Sequence, residues 1–277
     1  MNQQQSFKQM LEDDNRVIGE QLADVKHKII VLSGKGGVGK SSVAVNLACA
    51  LAKKGKKVGL LDADLHGPTI PTMLGLNNSP KASESGKISP IETDLKVKVI
   101  SLGLFLPSSD EAVIWRGPMK MGAIKQFLRD VVWGELDYLI IDCPPGTGDE
   151  PLSLVQLIPN PDGAIIVTSP QESALAAVRK SVTFIKKVNL NAIGIVENFA
   201  GYVCPHCGKI SYPFGNGGGE ELSKYADIEL IASIPLFHDM AGEADKGVPI
   251  VAKDNHPACK LYLELAEKID VKLERDK

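Results

Sequence analysis

Aromatic side chains are scarce in this chain, 5% of 277 residues, too few to spread base-stacking platforms along a nucleic-acid groove. Charge of one sign is also missing: 31 basic against 34 acidic residues leave a formal net charge of −3, where a nucleic-acid binder more often carries a basic surplus or a basic face. No apolar run reaches the length of a membrane span, and the polar stretch 1–26 has no apolar core of signal-peptide type. These absences argue against nucleic acid and membrane as partners and for a cytoplasmic protein. Cysteines number five. An odd count in a reducing compartment suits metal or redox chemistry better than a disulfide framework. There is no internal repeat and no linker that divides the chain cleanly.

What is present is an apolar content of 44%, enough for a sizeable core. Residues 1–25 read as a polar arm, mobile or docked at the periphery, with a sparse helical pattern over 7–22. From residue 26 to 277 apolar runs alternate with helical patterns. The runs predict strands at 28–33, 58–61, 97–102, 138–141, 163–168, 192–196 and 229–234, and the patterns predict helices at 40–54, 119–132, 172–188, 219–225 and 257–269. Strands apolar on both faces and separated by helices indicate a doubly wound α/β domain, a mostly parallel sheet covered on both sides. The Ser-, Lys- and Pro-rich stretch 77–94 reads as a long flexible surface loop.

The strongest motif runs Gly34-Lys35-Gly36-Gly37-Val38-Gly39-Lys40-Ser41-Ser42, between a predicted strand and a predicted helix. That is the context a phosphate-binding loop needs, as distinct from a glycine-rich turn. Its glycines let main-chain N–H groups turn inward around a phosphate, and the helix N-terminus adds partial positive charge. Lys40 supplies a full charge and the Ser41 hydroxyl a ligand for Mg²⁺. Lys35 is a second lysine that the generic motif does not require.

Two further segments end strands in carboxylates. In Leu60-Leu61-Asp62-Ala63-Asp64 the aspartates lie at the edge where open α/β sheets bind ligands, to hold a Mg²⁺ shell, orient a water, or simply cap a helix. If the strand continued through both, their side chains would point to opposite faces, which places one on the strand and the other in a loop. In Tyr138-Leu139-Ile140-Ile141-Asp142-Cys143-Pro144-Pro145-Gly146, a buried strand delivers Asp142 to the metal shell and Gly146 leaves room for an N–H to approach a γ-phosphate.

Together these segments resemble the deviant-Walker P-loop NTPases related to MinD and ParA. Within that group the sequence is most similar to the Mrp/NBP35 family of iron–sulfur cluster carrier ATPases, through Asp62-Ala63-Asp64-Leu65-His66-Gly67-Pro68-Thr69, Trp115-Arg116-Gly117-Pro118 and a Cys204/Cys207 pair, over roughly residues 27–265. The resemblance implies ATP as the nucleotide. It makes Lys35 the signature lysine that reaches phosphates across a dimer interface and Asp64 the residue that positions water. It also gives Asp62 and Asp142 to the Mg²⁺ shell and Asn198 to the adenine. Longer family members carry an N-terminal cysteine cluster or an extra domain. No cysteine precedes Cys49 here, so a second cluster is not expected.

Val203-Cys204-Pro205-His206-Cys207-Gly208 offers two thiols in a tight knuckle, forming an insertion around 199–219. A tetrahedral metal site or a four-thiolate cluster needs four ligands, and no second pair is present. Cys49 falls on an apolar helix, Cys143 adjoins Asp142 and Cys259 opens the last helix. Two copies of the chain, each giving Cys204 and Cys207, complete one site, so a homodimer is expected. Chemistry alone suits zinc or an iron–sulfur cluster, with a redox-active pair as a weaker reading; the resemblance implies a [4Fe–4S] cluster delivered to apo-proteins, with Zn²⁺ able to take its place. His206 is expected to face solvent. Gly215-Asn216-Gly217-Gly218-Gly219 reads as a hinge and helix-entry loop, without the Lys-Ser of a second phosphate loop. A MinD/ParA-like positioning ATPase is the alternative, but the Leu261/Leu265/Ile269 stripe lacks a basic flank and reads as a core-packing helix.

Overall fold

A computed structural model describes residues 13–64, 67–105 and 117–275. Leu65, His66, Trp115, Arg116 and the first part of the expected N-terminal helix lie outside the described residues. A nine-stranded sheet runs in the order β10-β9-β8-β1-β7-β2-β6-β5, with β11 on β9. The strands are β1 (Val25–Ser33), β2 (Val58–Asp62), β5 (Ile91–Glu92), β6 (Val97–Ser101), β7 (Leu136–Asp142), β8 (Gly163–Thr168), β9 (Ala192–Val203), β10 (Ile210–Ser211) and β11 (Leu230–Phe237). All pairings are parallel except those of the short strands β5 and β10.

The central strands alternate between two cores, as a period of two requires. From β1, Ile30 and Leu32 enter one apolar cluster and Ile29 and Val31 the other. The first is covered by α1 (13–21), α4 (Gly117–Asp130), α5 (Asp149–Leu157), α6 (Glu172–Lys187) and α7 (Gly218–Ala226); the second by α2 (Lys40–Lys53), α3 (Ile70–Met73) and α9 (Pro257–Arg275). One more helix on the rim, α8 (Met240–Asp245), buries no residue fully. This is the doubly wound sheet expected, with helices on both faces. Of the α9 stripe, Leu265 and Ile269 pack into the core, joined by Leu273, while Leu261 is only half-buried. No described helix is long and apolar enough to cross a membrane.

Of the two courses open to the N-terminal arm, its described part takes the docked one, from residue 13 on. Ile18 and Leu22 are buried, and Asp14 pairs with Arg129 (2.7 Å) and Lys125 (3.2 Å) of α4. The stretch 77–94 is not a structureless loop: β3 (Lys81–Ala82) and β4 (Ile88–Ser89) form a hairpin, and β5 borders the sheet. The cause is local, since Gly86 at φ 78° closes the turn, with its N–H donating to Ser83 O at 2.9 Å. Finally, β9 runs seven residues past its expected end at 196, to Val203, because β11 continues to pair along it there.

Candidate nucleotide and metal-thiolate sites

The phosphate loop joins β1 to α2. Gly39 takes φ 77° at the head of α2, no side chain caps that helix, and its first turn holds no acid. Its leading N–H groups are left for an anion. Gly37 is also left-handed at φ 80°, and around Gly36 and Gly37 a Cβ would meet nothing within 4 Å, so the loop's outer side is open. Gly34 is glycine for a different reason. A Cβ there would stand 2.3 Å from the Ala177 carbonyl carbon of α6. Gly34→Ala is therefore expected to push the loop off α6 and weaken ADP binding at least tenfold, at a stability cost of about 1–3 kcal/mol, read by titration calorimetry and thermal unfolding.

Lys40 lies 2.6 Å from Asp142 Oδ1, with 6% and 0% of the two side chains exposed. Ser41 Oγ donates to Asp142 Oδ2 at 2.5 Å. Asp62 and Asp142 are direct partners in the β2–β7 register. Asp62 accepts from the Asp64 N–H at 3.1 Å and from Ser101 Oγ at 2.8 Å. Burial, with the Asp142 charge beside it, pushes the Asp62 carboxyl up to about 8. Burial also raises Asp142, against the pull of Lys40 and Ser41. Two buried carboxylates thus face one ammonium. With the Ser41 hydroxyl they form an all-oxygen donor set that suits Mg²⁺, whose charge would offset the excess. As expected, Asp62 closes its strand while Asp64 sits in the loop beyond.

The remaining expected residues meet the loop differently. The Gly146 N–H donates to Ser33 O at 2.9 Å, so contact with a phosphate requires this turn to shift. Lys35 lies along its own chain, Nζ donating to Ser173 Oγ at 2.9 Å and Gln171 Oε1 at 3.2 Å at the start of α6. Asn198 is buried beneath the loop, its Nδ2 donating to Val38 O at 3.0 Å. Ser42, on the first turn of α2, accepts from Asn46 Nδ2 through its carbonyl. Ser101, Gln171 and Ser173 were not singled out from sequence. Ser101 carried a usable signal, a polar residue closing an apolar strand beside Asp62.

Next to Asn198, Phe199 adopts a left-handed backbone at φ 59°, a conformation that costs a bulky residue about 1–3 kcal/mol and persists where its surroundings impose it. Glu197 is buried too, accepting the Gly219 N–H of α7 at 2.6 Å. Burial raises its carboxyl above the ordinary glutamate range, and the Gly219 N–H only partly offsets this. The folded chain then holds the proton more tightly than the unfolded one. The stability this group contributes declines as pH rises from the ordinary glutamate value through the folded one. Glu197→Gln should flatten that slope: its urea midpoint should fall less than wild type's as pH rises above the ordinary glutamate value.

The knuckle stands at the far end of β9, between it and β10. The Cys204 N–H donates to Lys209 O at 3.0 Å and the Gly208 N–H to Cys204 O at 2.9 Å. Cys204 is half-buried, while Cys207 and His206 are exposed. The N–H groups of Cys207 and His206 and the Cys207 thiol hold the Cys204 thiol below its ordinary value, the environment of a thiolate ligand. Cys49, Cys143 and Cys259 are buried. Among the described residues, no group of three or more His, Cys, Asp or Glu side chains could close a metal site within one chain.

A phosphate loop with a second lysine, paired strand-end aspartates and a mostly parallel sheet define a P-loop NTPase of the MinD/ParA type. The chain belongs to the ParA-type family described as NUBPL iron-transfer P-loop NTPases, whose sequence profile matches residues 24–270. It is 50% identical over 270 residues to the iron-sulfur cluster carrier protein of Methanocaldococcus jannaschii, covering 96% of this chain and 93% of that one. It is 48% identical over 235 residues to a cytosolic Fe-S cluster assembly factor NUBP2 homolog of Nematostella vectensis, covering 83% and 87%. Among solved structures it resembles a nucleotide-binding protein of Archaeoglobus fulgidus in complex with ADP and with cobalt, at TM-score 0.77 and 40% identity over 90% of this chain and 96% of that one. The septum site-determining protein MinD of Pyrococcus horikoshii, complexed with Mg-ADP, matches at TM-score 0.64 and 26% identity, covering 89% and 98%.

Proposed function

We propose that this chain is an ATP-hydrolysing carrier that holds an iron–sulfur cluster between two copies of itself and passes it to apo-proteins. The observation that carries the reading is the knuckle: two accessible thiols, one with a depressed proton affinity, just beyond the end of the strand whose Asn198 contacts the phosphate loop. Two thiols fill half of a four-thiolate site, and a two-fold pair of chains fills all of it. The names of the relatives, cluster carrier and assembly factor, point the same way.

At the nucleotide end the phosphates enter the open loop and draw Lys40 from Asp142. Ser41, Asp62 and Asp142 would hold Mg²⁺, which would neutralise charge on the phosphates. Asp64 orients the attacking water. The water's oxygen bonds to the γ-phosphorus as the bond to the β–γ bridging oxygen breaks, leaving ADP and inorganic phosphate, with one of the water's protons kept on the phosphate and the other released to solvent. Lys35, released from Gln171 and Ser173, reaches the phosphates of the partner copy, and Asn198 reads the adenine.

Anaerobic purification followed by an absorption spectrum, iron and sulfide analysis and native mass tests the reading. A brown dimer with four irons per pair is the expected result, as a [4Fe–4S] cluster requires. A colourless chain that takes up no metal on reconstitution overturns it. One zinc per pair that iron and sulfide cannot displace would instead make the knuckle a structural site.

A further inference from the structure

Between the phosphate loop and the knuckle, β9 does not run smoothly. Along β11, Asn198 pairs with Ile234 and Tyr202 with Leu236, so Phe199, Ala200 and Gly201 stand opposite Pro235 alone. This is a bulge, the device by which strands re-aim a side chain. Phe199 is its left-handed residue at φ 59°, and Gly201 completes it at φ 145°. The Phe199 ring is carried beneath the loop, where a Cβ placed on Gly39 would lie 3.1 Å from its Cζ. The same ring meets Phe214, ring centroids 5.9 Å apart, in the limb by which the chain returns from the knuckle to α7. Gly201 lies under β10, since a Cβ there would stand 2.7 Å from Ile210 Cγ2. One side chain therefore touches both the loop that receives phosphate and the limb that positions the thiols.

We infer that Phe199, wedged between Gly39 and Phe214, is a positioning residue that couples the occupancy of the phosphate loop to the geometry of Cys204 and Cys207. The identity of the cargo rests on the carrier reading, whereas the coupling does not. Any shift of Val38 and Gly39 on nucleotide binding acts on β9 at two adjacent points, the Asn198 amide and the Phe199 ring. The bulge transmits it because it interrupts the ladder that would otherwise hold β9 fixed to β11. Coupling between sites is reciprocal, so metal at the thiols changes nucleotide affinity by the same factor as nucleotide changes metal affinity.

The test uses Co²⁺ as the thiolate probe and Mg-ADP as the nucleotide, each titrated in the absence and presence of the other. Phe199→Gly deletes the ring while keeping a residue at ease in the left-handed region. Phe214→Ala removes the opposite half of the contact, and it answers alone if the first variant does not fold. Wild type should show a coupling factor of at least about fivefold. Each variant should bind Co²⁺ and Mg-ADP separately within about threefold of wild type, with the coupling factor falling to one. Variants that keep the wild-type factor overturn the inference. So does a more than tenfold loss of ADP affinity in metal-free Phe199→Gly, which would assign the ring to base binding. Wild type that couples Co²⁺ to ADP but never takes up iron and sulfide would sink the carrier reading and leave this inference standing. Wild type that holds a cluster without coupling would do the reverse.

Discussion

Replacing either Cys204 or Cys207 with alanine is expected to bring bound iron to background. In the proposed site shared by two copies, each substitution would remove two of the four thiolates, so a single change would cost half the ligand set. Closed four-ligand thiolate and imidazole sites hold structural zinc with about 10–16 kcal/mol near neutral pH, and half a set retains little of that. The knuckle is partly or fully exposed and contributes to neither apolar cluster, so the fold should survive. Mg-ADP affinity of the metal-free variants should stay within about threefold of wild type. Native mass spectrometry should show the metal-dependent pair dissociating into single chains. Stoichiometric iron in Cys204→Ala would mean that the metal sits elsewhere.

Lys40→Ala should have the second large effect, in the opposite compartment of the molecule. The amine is the cation beside Asp62 and Asp142 and the donor expected to meet the phosphates. Two charge-assisted hydrogen bonds at about 1.5–3 kcal/mol each correspond to at least a 100-fold loss of nucleotide affinity. Two buried carboxylates lose their counter-charge as well, but they can relieve the strain by taking up a proton, a course already favoured by the raised Asp62. The variant should therefore unfold at lower temperature at neutral pH and recover part of the deficit in mild acid, the direction expected when the folded state binds more protons. Calorimetry with Mg-ADP and thermal scans across pH separate the two effects. Retention of wild-type ADP affinity would remove Lys40 from the phosphate site.

Most of the sheet was legible because its strands are apolar on both faces and its helices show clear periodicity. Gly163–Thr168 falls where the sequence placed it, and α2, α6 and α7 differ by a residue at one or both ends. Less visible was α5, whose first turn carries Asp149, Glu150 and Pro151 and continues directly from a proline- and glycine-rich turn. The stretch 77–94 misled through composition, since its Ser and Lys content hid a glycine turn between very short strands. At the site, the residue types of the loop and the carboxylates were readable as a local pattern. Three contacts were not, because each joins distant segments: Ser101 on Asp62, Asn198 on Val38, and Gln171 with Ser173 on Lys35. Phe199 gave no signal at all. Its role depends on a register mismatch with β11 that no single segment encodes.

The resting place of Lys35 has a consequence for solution behaviour. In the proposed pair the Lys35 amine would have to leave Ser173 and Gln171, two hydrogen bonds together worth about 1–3 kcal/mol net. Both copies would make that change, so about 2–6 kcal/mol would oppose pairing and raise its apparent dissociation constant at least about 30-fold. Pairing then acquires a set point in protein concentration. Chains dilute enough to lie below it would stay single, nucleotide held across the pair would lower that point, and removing the Ser173 hydroxyl would lower it further.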